Sequence, residues 1–452
     1  MAIELGILQN GYSDLPSHTN ADGIHLPQGT MRDSLGMMQR VVNRQIKQGV
    51  LADQLGFDYF FLTEHHFQPE GAEQSPNPLM IQAALAVLTK QIRLGQMANI
   101  LPWHHPVRLA EQAAIVDILS NGRLEMGIGR GYQQRESEVL ARPYGAGLQD
   151  GEKYRRLFEE GFELLKKSFT EESFSHQGEF FQVPPPGTNW HHPQTIAYYQ
   201  QEQIRQTVEQ VMDIGVPTDQ SGVASMTTTL KQITVGPQPL QSPTPQFWMP
   251  MTTRRSAEWA ASNGVNGLYA ATPNELLNRE LDIYHNAAKA SGWSDRLDRG
   301  EFARGWDSGR KRGVAAVRTV HVVDGDVGNE ALYMSGLDRY MDYMLTFGSL
   351  GVQLAEAGYE EASSKTVAEA GLNMIGSPDK VLEGIEAMKV AGGFDDMCVV
   401  FVFDGHALPE QMVEDQMSYF AENIMPVLHK EYGKRDQEAL LYPPPEAEPA
   451  KL

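Results

Sequence analysis

The chain has 452 residues, one cysteine and a net charge of −21, from 37 Lys and Arg against 58 Asp and Glu. One cysteine excludes an intramolecular disulfide, a multi-cysteine zinc site and a cysteine-ligated iron–sulfur cluster, and it suits a reducing compartment. The acidity argues against nucleic acid or an anionic membrane as partner, while 41% apolar residues and 42 glycines give an ordinary globular composition.

The elements follow in chain order. Ile3 to Leu8 reads as a strand. It carries Glu4 and no basic flank, so it does not read as a signal peptide. No stretch approaches the ~18 uninterrupted apolar residues of a membrane span; the expectation is a soluble, cytoplasmic protein. Val41 to Leu55 has helical spacing and stops at Gly56. Phe57 to Leu62 is a run suited to a strand buried on both faces. Directly after it stands Thr63-Glu64-His65-His66-Phe67. An acid and two imidazoles at a strand end can do general acid–base work or bind a metal, or the group can simply hydrogen-bond itself. Neighbouring histidines on extended chain point opposite ways, which weighs against shared metal ligation.

Pro78 to Lys90 reads as a helix, Ile92 to Ile100 as a strand and Pro106 to Leu119 as a helix. The turn Asn99-Ile100-Leu101-Pro102-Trp103-His104-His105-Pro106 is turn chemistry, or it aims His104 and His105 into the pocket of His65. Leu124 to Ile128 is a strand that runs into Gly129-Arg130-Gly131. Glycines here expose N–H groups, and an arginine among them can take a phosphate. Glu152 to Ser168 is a helix.

Residues 170–245 are rich in Gln, Pro, Thr and Ser, with β-like pieces near Ser175 to Val183 and Leu230 to Val235. They read as a long insertion between the fourth and fifth strands, either a lid or a solvated loop. Gln246 to Met249 is the fifth strand. Met251-Thr252-Thr253-Arg254-Arg255-Ser256 then bridges to a helix, Arg254 to Ser262, as an anion site at a helix N-terminus or an ordinary cap. A strand at Gly267 to Ala270, a helix near Glu275 to Ala290 and a strand at Val314 to Val323 follow. Ser377 and Pro378 open a helix to Val390, Met397 to Phe403 is the last strand with Cys398 as core, and Pro409 to Lys430 is the last helix.

Eight strands with helices between them imply a parallel sheet closed into a (β/α)8 TIM barrel over residues 1–440, with a disordered tail at 441–452. An open doubly wound sheet is the alternative, but no glycine fingerprint follows the first strand.

In order, Leu62-Thr63-Glu64-His65-His66-Phe67, Leu101-Pro102-Trp103-His104-His105-Pro106-Val107-Arg108, Leu119-Ser120-Asn121-Gly122-Arg123, Gly127-Ile128-Gly129-Arg130-Gly131, Val235-Gly236-Pro237-Gln238-Pro239, Ser256-Ala257-Glu258-Trp259-Ala260 and Gly376-Ser377-Pro378 resemble the bacterial luciferase-like family of flavin-dependent monooxygenases. The resemblance spans about residues 1–168 and 230–430. It implies a (β/α)8 barrel that uses reduced FMN from a separate flavin reductase, with O2, to oxygenate a small organic substrate such as an aldehyde or ketone through a flavin peroxide. It implies phosphate ligands at Arg130, Thr253 and Ser256, with Arg156 as a fourth, and places Thr252 among the cofactor-binding residues. Glu64, Ala98, Asn99 and Tyr132 would line the flavin ring or ribityl chain. His65 would be the catalytic acid–base, with His66 beside it. The same likeness implies a non-prolyl cis peptide near Ala98 and a homodimer built on one barrel side. Luciferase has a reactive cysteine where this chain has Gly129, which weakens a light-emitting reading. The alternatives are deazaflavin-dependent hydride transfer on the same barrel, a non-catalytic flavin-binding subunit, and a metal-dependent barrel hydrolase.

Overall fold

The computed structural model describes residues 3–434, apart from 72, 191, 202, 205, 216–226, 293, 296–301, 305–306, 312 and 394–396. The tail at 441–452 lies outside the described residues.

All eight expected strands form. They are β1 (Ile3–Gln9), β2 (Tyr59–Leu62), β3 (Arg93–Gln96, resumed at Asn99–Ile100), β4 (Leu124–Gly129), β5 (Gln246–Pro250), β6 (Asn266–Tyr269), β7 (Val314–Val322) and β8 (Met397–Val402). Each pairs in parallel with its neighbours, and pairing of β8 with β1 closes the ring. A short strand, Asn373–Gly376, lies off the ring against the C-terminal half of β7. The expected continuous third strand is interrupted at the Met97–Ala98 peptide, which is cis. Gln96 O lies 1.7 Å from where a Cβ on Gly127 would stand, so only glycine lets β4 run past this crossing.

Alternation along the strands sorts the side chains. Ile3, Leu5 and Ile7 of β1, Phe60 and Leu62 of β2 and Val399 and Phe401 of β8 face the helix layer. Leu8, Tyr59, Phe61, Trp248, Leu268, Val317, Cys398 and Val400 fill the barrel. Beneath them Arg93 pairs with Glu125, whose other oxygen accepts from Trp248 Nε1 at 2.6 Å. Cys398 is core, as its sequence context implied.

The helices of the barrel layer are α1 (Met31–Leu55), α2 (Pro78–Leu88), α3 (Pro106–Leu119), α4 (Gly151–Thr170), α5 (Arg254–Ser262) and α6 (Asn274–Ala290). α1 begins ten residues before its expected start, because Thr30 and Asp33 form a reciprocal capping box; its end at Gly56 is as expected, with φ 83°. Between β7 and β8 the described residues form three helices absent from the sequence expectation, α7 (Glu330–Leu345), α8 (Ser349–Glu356) and a short one at Ser364–Glu369, before α9 (Pro378–Gly392). The expected closing helix is α10 (Glu410–Tyr419), which continues through a π turn into Met425–Tyr432.

Between Thr170 and β5 the described residues form a short hairpin at His176–Gln177 and Gln182–Val183, a helix at Pro193–Tyr199 and a ribbon at Met212–Gly215 and Thr227–Leu230. Phe174, Phe181, Val183 and Val235 pack with Tyr154, Leu157 and Leu164 of α4. Glu160 of α4 accepts the N–H groups of Glu179 and Phe181.

Candidate active site

A cavity of about 610 Å³ opens at the C-terminal mouth of the barrel, the face where this fold gathers its chemistry. Its floor includes Leu8, Met97, Val317 and Val402. Its roof is α7, α8 and the turn between them, whose Leu337, Tyr340, Met341, Met344, Phe347 and Leu350 face it. The roof is held at several points. Tyr340 meets Tyr12 edge-on at 5.4 Å, Phe347 meets Tyr132 at 5.1 Å, and Arg339 donates to Glu70 O at 2.7 Å and to Ser17 Oγ at 3.2 Å. None of the described residues between 170 and 245 lines the cavity.

At the β4–β5 side the cavity meets Arg130, Thr252, Thr253 and Ser256. Thr253 caps α5 through its side chain, and the N–H groups of Thr252 and Thr253 converge on Ser256 Oγ at 3.3 and 3.1 Å. Such a helix start offers N–H groups, hydroxyls and the positive end of the dipole to an anion. Arg130 makes no ion pair among the described residues, so its charge is available to one. Arg155 and Arg255 also reach this end. Arg156, the expected phosphate ligand, does not: it turns outward and pairs with exposed Glu179 at 2.9 Å. One residue along α4 is about 100° of rotation, so Arg155 takes the inward place.

Midway stand two acid–imidazole groups. Glu64 lines the cavity and is fully engaged. His104 Nε2 lies 2.9 and 3.1 Å from its two oxygens, His66 Nε2 lies 3.3 Å from Oε1, and Ile100 N–H donates to Oε2 at 2.6 Å. Burial pushes the Glu64 carboxyl up, but His104, His66 and the Ile100 N–H outweigh it and hold it at about 2. Glu64 therefore stays ionised and fixes the β3 crossing beside Ala98.

His65 lines the cavity between two buried carboxylates, with Nε2 3.3 Å from Glu73 and Nδ1 3.4 Å from Glu136. Burial pushes its imidazole down; Glu73 and then Glu136 lift it to about 9. Tyr132 lines the cavity and donates to Glu73 Oε2 at 3.0 Å.

Of the expected site residues, Glu64, His65, Ala98, Arg130, Tyr132, Thr252, Thr253 and Ser256 all line this one cavity. Three do not. Arg156 is accounted for above. Asn99 is buried with its amide donating to Gly127 O and Gln96 Oε1, both at 2.9 Å, so it holds the β3–β4 crossing. His66 points away from His65 onto Glu64 and the edge of Trp103. Nor do His104 and His105 face the cavity with His65: His104 serves Glu64, and His105 packs on Phe181. Gly129 does line it, and a Cβ there would meet Ile100 Cδ1 at 2.9 Å; no thiol stands at that position.

The structure adds Glu73, Glu136, Arg155, Arg255, Thr63 and Asn373 to the lining. Thr63 Oγ1 and Asn373 Nδ2 are buried polar atoms without a hydrogen-bond partner among the described residues, an arrangement that calls for an explanation such as a ligand.

Fold and site thus define a (β/α)8 barrel with an arginine and a capped helix start at one end of a single cavity and an acid–imidazole centre in the same cavity. The family description "luciferase-like monooxygenase" matches residues 23–396, and the chain belongs to that family. It is 29% identical over 262 residues to the oxygenase component of flavin-dependent trigonelline monooxygenase from Acinetobacter baylyi, covering 56% of this chain and 57% of that protein. It is 31% identical over 139 residues to an alkanal monooxygenase beta chain from Photorhabdus laumondii, covering 31% and 40%. A 36% match over 145 residues to the uncharacterized protein y4vJ of Sinorhizobium fredii covers 39% of that protein. The chain thus spans about half or less of the length of these relatives. Among solved structures, the oxygenating constituent of 3,6-diketocamphane monooxygenase from a Pseudomonas putida plasmid, in complex with FMN, shares the fold with a TM-score of 0.65 at 20% identity over 94% of this chain and 98% of that one. An F420-dependent secondary alcohol dehydrogenase shares it with a TM-score of 0.57 at 14% identity over 94% and 99%. Among the described residues no helix is long and apolar enough to cross a membrane.

Proposed function

We propose that the protein is the oxygenase of a two-component system, which takes reduced FMN from a separate reductase and uses O2 to oxygenate a small, uncharged organic substrate. The observation that carries this reading is the order of chemistry along one cavity: Arg130 and the capped start of α5 at one end, His65 with Glu64 midway, and an apolar chamber beyond. The donor set fits a flavin phosphate, because Arg130 is uncommitted and Thr252, Thr253 and Ser256 gather hydroxyls and N–H groups at a helix N-terminus. When bound, reduced flavin supplies the electrons that activate oxygen.

The protein's own residues then orient, exclude water and hold a proton. Glu64, locked by His104 and Ile100 N–H, would hold the flavin ring on the Ala98 side of the cavity. α7 and α8 roof the chamber and keep it dry. Every cavity residue from the segment 317–373 is uncharged, and an unpaired charge would be costly to bury there. That favours a neutral substrate such as an aldehyde or ketone. The name of the trigonelline relative supports the two-component arrangement. Exposed Met80, Val87, Leu88, Ile115, Ile118 and Leu119 on α2 and α3 support a homodimer through that face.

The test is flavin titration, followed by quenching of flavin fluorescence for the oxidised form and anaerobically for the reduced form. FMN is expected to bind, and Arg130→Leu to weaken it at least tenfold while leaving riboflavin, which has no phosphate, unchanged. Equal loss for both flavins would refute the phosphate assignment. Oxygen uptake by the complex with reduced FMN distinguishes this reading from hydride transfer to a deazaflavin.

A further inference from the structure

His65 lines the cavity with both ring nitrogens facing carboxylates, and Gln133 Nε2 lies 3.3 Å from its Nδ1 and 3.4 Å from Glu73 Oε2. Glu73 reaches Nε2 from the same loop, because that loop doubles back: His65 N–H donates to Ser75 O at 3.1 Å, and Glu73 lies two residues before Ser75 on the returning segment. Glu136 reaches Nδ1 from the short helix Gln134–Leu140 after β4. The two carboxylates are buried, and each is oriented by its own partners. Tyr132 hydroxyl donates to Glu73 Oε2 at 3.0 Å. His66 N–H and Gln68 Nε2 donate to Glu136 Oε1 at 2.6 and 3.2 Å. Gln68 itself is held by the roof, since Tyr343 hydroxyl donates to Gln68 Oε1 at 3.0 Å. The charged and titratable groups facing His65 are thus Glu64 at its own strand end, Glu73 across the loop, Glu136 and Tyr132 from the β4 side, and Tyr343 from above Gln68.

Two buried carboxylates within 3.4 Å of one imidazole attract its charged form, and this attraction works against burial and against the Gln133 amide N–H beside Nδ1, which suits a neutral ring. Removing one carboxylate from buried surroundings leaves the remaining interaction to contend with desolvation alone.

We propose that Glu73, opposite Glu136, is a positioning residue that keeps His65 an imidazolium at neutral pH, so that His65 enters the reaction as a proton donor and not as a base. In that step a ring N–H bond of His65 breaks, the proton passes to a reacting oxygen in the cavity, and the ring is left neutral between the two carboxylates. Solvent restores the proton at the mouth, where Tyr132 is 43% exposed. The contacts of 3.3 and 3.4 Å are longer than the ~2.7–2.9 Å of a fully formed charge-assisted bond.

The role in the reaction rests on the flavin reading above, but the state of His65 does not, so it is measured without flavin. Protein labelled with 15N-histidine is titrated by NMR, with His65 assigned by the signal lost in His65→Gln. The wild-type ring is expected to stay doubly protonated through pH 7.5. In Glu73→Gln its midpoint is expected to fall by at least about one pH unit, and Glu73→Asp to recover most of the difference. A wild-type His65 that is neutral at pH 7 overturns the proposal without any variant. So does a Glu73→Gln midpoint equal to that of the wild type in a protein with unchanged circular dichroism. FMN titration of the same samples tests the flavin reading separately.

Discussion

At the residue scale, the charges of this site tie stability to pH in a defined direction. The His65 imidazole is lifted to about 9, and that of His104 is raised as Glu64 outweighs its burial. Groups raised on folding stabilise fully below their unfolded value of ~6.5, and the contribution is lost as pH rises through the folded value. The free energy of unfolding in urea is therefore expected to fall between pH 6.5 and 9. The His65 share is at most roughly 3 kcal/mol from the ~1.36 kcal/mol per pH unit of linkage. His65→Gln should flatten most of that slope; an unchanged slope would show that His65 carries no proton in the fold. On the acid side, Glu64 behaves oppositely, with stability present above its unfolded value and lost toward pH 2. Glu64, His65, Arg130 and Thr253 were legible in the sequence because they sit just past strand ends, where chain order alone places them. Glu73 was not: it lies in a loop without periodicity, and only the reversal at Ser75 brings it to His65. Arg155 and Arg156 differ only in helical phase, which becomes readable once Tyr154, Leu157 and Phe158 are known to be the buried face of α4.

At the element scale, the roof departs most from expectation. Residues 170–245 read as an insertion forming either a lid or a solvated loop, and the described part of that segment packs on α4. The roof instead comes from α7 and α8, in a stretch where the sequence reading placed no element. The signal was present, since Tyr333, Leu337 and Met341 repeat at four-residue spacing behind Asn329, whose side chain caps α7. It went unread because Gly336 and alternating polar residues dilute the stripe. Arg339 is the buried pin of this roof, and burial lowers its guanidinium to about 10. Replacing it by Met removes the bonds to Ser17 and Glu70 while keeping the stem. Amide exchange over residues 330–356 is expected to rise at least about tenfold, equivalent to ~1.4 kcal/mol of local opening, with β1 and β4 unchanged. Uniform acceleration across the barrel would mean that the roof is not a separate unit.

At the scale of the whole molecule, the helix layer is unevenly covered. α2 and α3 bury Leu79, Leu85, Leu109 and Ala113 inward, yet they leave Met80, Val87 and Leu88 between 56% and 70% exposed and Ile115, Ile118 and Leu119 between 39% and 46% exposed. Side chains of this size in water forgo about 1.5–3 kcal/mol each relative to full burial. Grouped on two adjacent helices, they form the kind of patch a partner surface covers. With a net charge of −21, two copies repel over most of their surface. A face whose exposed residues are mostly apolar, with Arg108 and Glu111 paired to each other at the start of α3, is therefore where self-association costs least, and a two-fold pairing would set α2 and α3 against their own copies. Sedimentation equilibrium is expected to give twice the chain mass, and Val87→Glu with Ile118→Glu to give the chain mass. Those substitutions lie on the face opposite the cavity-forming strand ends, so FMN affinity should stay within about twofold if the fold is kept. A wild-type monomer at micromolar concentration, or a dimer that survives both charges, would assign the exposed face to something other than a second copy.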